Sequence, residues 1–165
     1  QYQFVVAGVS WLDRSIYTPY IQGSDVRYIC DETYELLAVS EAAVVTSGTA
    51  TLETALLGVP QIVCYRRDWA SMLIGKAFLK IPYVSLVNLV LHREAVRELL
   101  QHHMNMKNAT AELEAILPGG SKHERMMADY AQLQELIGHK HPSDKFAARM
   151  VEFLRKDRQN RTTQS

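Results

Sequence analysis

Between Val45 and Pro60 the sequence runs VTSGTATLETALLGVP. An apolar run ends at Thr46, a small-residue loop of Ser47, Gly48 and Thr49 follows, and a helix-compatible stretch begins at once. A strand, a tight loop and a helix in that order can hold a phosphate. The first N–H groups of the helix have no partner within it, and its dipole places roughly half a positive charge at that end. An anion is then stabilised without any lysine or arginine. Gly48 allows close backbone approach, and the hydroxyls of Ser47, Thr49 and Thr51 are spare donors. On the loop alone, ordinary turn and cap chemistry explains the same residues equally well.

Glu53 shifts that balance. A capping box places its Glu three residues after a Ser or Thr; counted from Ser47 that place holds Ala50, and Glu53 stands four residues after Thr49. On a helix Glu53 shares a face with Thr49 and Ala50, so its carboxylate can turn toward the loop and accept two hydrogen bonds from a ribose diol. The blander account is an exposed first-turn Glu favoured by the dipole.

These residues need a frame to hold them. Four short runs rich in Val, Ile and Ala predict strands over Phe4 to Val9, Val26 to Cys30, Ala42 to Thr46 and Gln61 to Tyr65. Between them, Ser15 to Ile21, Thr33 to Val39 and Ala50 to Leu57, the last closed by Gly58, have helical length and pattern. The order βαβαβαβ, with continuous rather than alternating apolar strands, predicts a Rossmann-like parallel sheet flanked by helices. In such a sheet the Ser47–Thr49 loop lies at the carboxyl ends of the strands, the usual ligand edge.

After Tyr65 the pattern turns helical: Trp69 to Lys80, stopped by Pro82, then Glu94 to Gln101, Asn108 to Leu117 and Ser121 to Ile137. Ser121 and Glu124 have capping-box spacing, and Pro142 opens a last helix reaching about Arg155. Residues 1–155 are expected to form one domain, with 156–165 a frayed polar tail.

Composition narrows the function. Lys plus Arg and Asp plus Glu number 18 each, which leaves no excess positive charge for a nucleic-acid backbone. Two cysteines, Cys30 and Cys64, in 165 residues do not form a disulfide framework and fit a reducing, cytoplasmic compartment. No apolar run approaches the roughly 20 residues that span a bilayer. The histidine pairs His102–His103 and His139–His141 lack a third ligand at metal spacing, and no Asp-x-Asp sequence occurs, so neither a metal nor another cofactor is expected. Arg66, Arg67, Trp69, Met72, Lys76 and Lys80 form a basic, apolar-edged stretch suited to peripheral contact with anionic lipid, although packing on the sheet explains most of the same apolar residues.

Two segments in tandem, SGTATLETALLGVPQIVCYR from Ser47 to Arg66 and KIPYVSLVNLVLHREAVRELLQ from Lys80 to Gln101, resemble the lipid-A-disaccharide synthases. These are bacterial glycosyltransferases of the two-Rossmann-domain (GT-B) architecture, and the likeness extends over most of the chain. The resemblance implies transfer of 2,3-diacylglucosamine from its UDP derivative to 2,3-diacylglucosamine 1-phosphate, giving a β-1′,6-linked disaccharide and UDP. It implies that this chain is the C-terminal, UDP-sugar-binding part. Ser47, Gly48 and Thr49 would then meet the diphosphate and Glu53 the ribose. Ile29, Cys30 and Asp31 would lie near the uracil edge, and Asn88 and Arg93 would be further polar donors facing the cleft. The blander places for the last two are a chain turn for Asn88 and pairing with Glu94 or Glu98 for Arg93.

The family's acceptor domain and its Gly-Ser-Arg loop have no counterpart in the sequence, and Val87 stands where many members have Pro. The general base is therefore expected on the acceptor domain, no catalytic residue is assigned here, and the chain alone is expected to be inactive. A homodimer is a further expectation, since some relatives exchange C-terminal segments. Two alternatives remain. A UDP-sugar epimerase-like domain explains Ser47 to Glu53 but not Tyr83 to Gln101, and a non-catalytic α/β interaction module leaves Glu53 idle.

Overall fold

The computed structural model describes residues 2–46, 48–65 and 83–138. Its first half alternates strand and helix: β1 (Val5–Gly8), a 3-10 turn at Arg14–Ile16, α1 (Thr18–Ile21), β2 (Arg27–Cys30), α2 (Thr33–Ala38), β3 (Ala43–Val45), α3 (Gly48–Leu56) and β4 (Gln61–Tyr65). Then follow α4 (Leu86–Leu91), β5 (Arg97–Leu100), a 3-10 turn at Gln101–His103, α5 (Met106–Ile116) and α6 (His123–Gly138). The strands form two parallel sheets: β1 pairs with β2, and β4 lies between β3 and β5. Parallel strands joined through helices give the expected Rossmann-like α/β architecture.

Burial separates the two sheets. In β4, Gln61, Ile62, Val63 and Cys64 are all buried, as a central strand covered on both faces requires. Ala7, Arg27 and Cys30 in β1 and β2 are exposed, so continuous burial holds for the central strand and not for this pair. The core gathers Ala55 of α3, Ile62 and Val63 of β4, Val87 and Leu91 of α4, Leu99 of β5, Ile116 of α5, and Met126, Tyr130 and Leu133 of α6. Helices α3, α4 and α6 pack on one another, and α5 packs on β4 and β5. Gln61 links three elements, donating from Nε2 to the Thr51 carbonyl of α3 at 2.8 Å and to the Tyr130 hydroxyl of α6 at 3.2 Å. Burial raises the Tyr130 pKa above the ordinary phenol range, so this hydroxyl stays protonated.

The stretch from Glu94 to Gln101 corrects the helix expected there. Arg97 to Leu100 form β5, in register Ile62↔Arg97, Val63↔Glu98, Cys64↔Leu99 and Tyr65↔Leu100. Arg, Glu and Leu favour helices, and Val96, Leu99 and Leu100 also fit a helical face. Pairing with the buried edge of β4 overrides that preference and buries Val96 and Leu99 almost completely.

The start of α6 is also corrected. The helix begins at His123, two residues beyond Ser121, and the capping box with Glu124 does not form. Backbone bonds make the turn instead: Lys122 N–H to the Ala115 carbonyl at 2.8 Å and His123 N–H to the Gly120 carbonyl at 3.2 Å. At the end of α3 the expectation holds, with Gly58 at φ 75° closing the helix. The helices expected at Trp69 to Lys80 and from Pro142 to Arg155 lie outside the described residues, as does the tail.

Candidate functional site

β3 runs out at Val45, exposed Thr46 follows, and α3 begins at Gly48. The strand–loop–helix read from the sequence is therefore present; Ser47 itself lies outside the described residues. The first turn of α3 follows the carboxyl end of β3, and a helix start of this kind favours an anion through its unpaired N–H groups and its dipole. Thr49 is exposed there. Thr51 is not a spare donor: it is fully buried, and its Oγ1 donates to the Gly48 carbonyl at 2.5 Å. Thr54 likewise donates to the Ala50 carbonyl at 2.7 Å. Both hydroxyls are spent within the helix.

Glu53 is half-buried, one turn into α3, and its Oε1 accepts from the Tyr34 hydroxyl of α2 at 3.1 Å. Tyr34 is 57% exposed, and the bond to Glu53 raises its pKa above the ordinary phenol value. Sequence reasoning missed Tyr34. A tyrosine 19 residues upstream carries no local signal of contact with Glu53, and only the tertiary fold brings the two side chains together.

At the end of β2, Ile29 is half-buried and Cys30 and Asp31 are exposed. Asp31 takes a left-handed backbone, φ 60°, which Asp tolerates better than most residues. Its Oδ1 accepts from Ser10 N–H at 2.9 Å, which ties the carboxyl ends of β1 and β2 together. Hydrogen bonding from Ser10 holds the Asp31 carboxyl below the usual carboxylate range, so it is charged at neutral pH.

The second motif meets the first. A Cβ built on Gly48 would lie 3.5 Å from the Val84 carbonyl oxygen, so the amino end of α3 rests against the turn that opens α4. Ser85 caps α4, its Oγ accepting from Asn88 N–H at 3.2 Å. Asn88 does not face a cleft. It is 0% exposed; Nδ2 donates to the Val96 carbonyl at 2.8 Å and to Glu98 Oε1 at 3.0 Å, while Oδ1 accepts from Ala95 and Val96 N–H at 2.8 and 2.9 Å. All four bonds of the amide are used inside the fold, which matches the chain-turning alternative.

Arg93 is engaged too, with a partner that neither sequence reading named. Its Nε and Nη2 bond Asp129 Oδ1 of α6 at 3.1 and 2.5 Å, and Nη2 also meets Gln132 Oε1. Asp129, 7% exposed, is thus a buried carboxylate that needs this guanidinium. Glu98 was the other residue missed, because a helix over Glu94 to Gln101 would have set it on the surface. Among the described residues no three His, Cys, Asp or Glu side chains are grouped to hold a metal ion, and no helix is long and apolar enough to cross a membrane. His102 and His103 are exposed and lie ring against ring at 4.1 Å.

Parallel strands between helices, with a helix starting directly after β3 and a carboxylate one turn into it, make this a Rossmann-like α/β domain. The family model described as lipid-A-disaccharide synthetase matches residues 16–151, and the chain belongs to that family. It is 34% identical over 157 residues to the lipid-A-disaccharide synthase of Syntrophus aciditrophicus, covering 93% of this chain and 41% of the relative. It is 40% identical over 114 residues to that of Solibacter usitatus, covering 69% and 30%. The Myxococcus xanthus synthase matches at 34% over 154 residues, covering 92% and 40%. The chain thus spans about two fifths or less of the length of these bacterial relatives. Family membership does not favour the epimerase-like or interaction-module alternatives.

Proposed function

We propose that this chain is the donor-binding part of a lipid-A-disaccharide synthase, holding UDP-2,3-diacylglucosamine while the sugar passes to 2,3-diacylglucosamine 1-phosphate with release of UDP. The observation that carries this reading is the meeting of two sequence motifs at one place: the amino end of α3 and the Val84–Ser85 turn lie in contact. Ser47, the Gly48 backbone and Thr49 would meet the diphosphate, and Glu53, oriented by Tyr34, would accept from the ribose diol. Ile29, Cys30 and Asp31 would border the base. Thr51 and Asn88, whose polar groups are spent within the protein, and Arg93, tied to Asp129 and Gln132, support the site rather than touch the ligand.

The chemistry that follows is stabilisation of a leaving group. As the glycosidic bond to the diphosphate breaks, negative charge grows on UDP, and the α3 dipole with its free N–H groups acts on that charge. Deprotonation of the acceptor hydroxyl falls to a group on the acceptor domain. No step requires a metal. Residues 1–155 act as one domain in this reading, at the cytoplasmic face of the inner membrane. The lipid-contact stretch from Arg66 to Lys80, and a homodimer, belong to the same reading.

The test is a transfer assay on the full-length protein with both acylated sugars, run with and without chelator. Formation of the disaccharide and UDP, unaffected by chelation, is expected. Absence of transfer, or activity lost in chelator and restored by magnesium, would contradict the proposal.

A further inference from the structure

We infer that Glu98 is a positioning residue for the nucleotide loop, its carboxylate reaching from β5 to fix the Val84–Ser85 turn against the amino end of α3; this rests on the donor-binding reading above. Successive strand residues face opposite ways. Leu99 enters the core at 1% exposed, and Glu98 turns instead to the start of α4. There Oε1 accepts from Val84 N–H at 3.1 Å, Ser85 N–H at 2.9 Å and Asn88 Nδ2 at 3.0 Å, and Oε2 accepts from Val84 N–H at 3.0 Å. A carboxylate bonded by consecutive backbone N–H groups at a helix start is held by charge as well as by geometry.

The network is closed. Glu98 binds the Asn88 amide, Asn88 binds Ala95 and Val96 just before β5, and Ser85 caps α4 on Asn88 N–H. The Val84 carbonyl then faces Gly48. Register on β4 is thereby transmitted through β5 and Glu98 to the turn beside Gly48. Without the carboxylate, Val84 and Ser85 lose their acceptor, and the wall beside the loop is free to shift.

The experiment measures UDP affinity by calorimetry on full-length wild type, Glu98→Ala, Glu98→Gln and Leu133→Val, with Tm recorded for each. Leu133 is a fully buried α6 residue, so Leu133→Val lowers Tm without touching the network. Glu98→Ala is expected to raise the Kd about tenfold, the size of one lost charge-assisted hydrogen bond. Glu98→Gln, whose single carbonyl oxygen can still accept from both N–H groups, is expected to raise it about threefold. Leu133→Val should leave the Kd unchanged. An unchanged Kd in Glu98→Ala, or an equal rise in Leu133→Val, overturns the inference. If Glu98→Ala does not fold, Glu98→Gln carries the test, and an unchanged Kd there overturns it. A wild type that binds no UDP overturns the donor-binding reading itself.

Discussion

Gly48 and Val84 stand 36 positions apart in the chain, yet a methyl built on Gly48 would lie 3.5 Å from the Val84 carbonyl oxygen. That is ordinary van der Waals contact, so the fold itself has room for an alanine. Alanine also favours a helix over glycine by about 1 kcal/mol in helix interiors. Gly48→Ala should therefore leave Tm unchanged or raised. If diphosphate approaches the backbone here, the same methyl should weaken UDP binding by about tenfold or more. Parallel thermal melts and UDP titrations check this, and normal affinity in the variant would remove Gly48 from the site.

Asn88→Ala tests the support beneath that contact. The change strands the Ala95 and Val96 N–H groups and the Val96 carbonyl in a buried place. A loss of about 3 kcal/mol or more of unfolding free energy is expected in urea denaturation. A loss below about 1 kcal/mol would mean that water or a moved side chain replaces the amide.

Arg93 and Asp129 should behave as a pair. Arg93→Ala leaves a carboxylate that is 7% exposed without its cation, and Asp129→Ala frees a guanidinium that is partly solvated. The first change should cost more. A double-mutant cycle is expected to give a coupling of about 1–2 kcal/mol, reduced from the fully buried case because the Arg93 side chain is 38% exposed. Coupling near zero would return Arg93 to the group of free donors and reopen its direct role.

The strand–loop–helix around Ser47–Thr49 was legible because its signals are local. An apolar run, a glycine and a helical pattern follow one another within 16 residues, and Gly58 closes the helix at its expected place. What stayed hidden is what depends on distant partners. Glu94 to Gln101 has the composition and spacing of a helix, and only the open edge of β4 makes it a strand; once it is a strand, Glu98 changes from a surface charge to an anchor. Asn88 and Arg93, expected from the sequence to be donors facing the cleft, are bonded within the fold instead. Their partners, Val96 and Asp129, lie 8 and 36 residues away in the chain, and no spacing rule reveals them.

The two cysteines offer a chemical probe of the same frame. Cys30 is exposed at the end of β2, whereas Cys64 is buried in β4 and burial raises its thiol pKa. In the native protein Cys30 should react with iodoacetamide much faster than Cys64, with both reacting in denaturant. If the base of UDP lies by Cys30, saturating UDP should slow its alkylation several-fold. Mass-spectrometric counting of labelled sites reads both effects, and unchanged Cys30 labelling would place the base elsewhere.

The role of Glu53 bears most directly on the whole account. Titration of UDP and of 2′-deoxy-UDP into the full-length protein and its Glu53→Ala variant separates the ribose contact from everything else. Wild type is expected to bind UDP about tenfold more tightly than the deoxy analogue, and Glu53→Ala to bind both with the same weakened affinity. Equal affinity of wild type for the two nucleotides, or an unchanged preference in the variant, would contradict it.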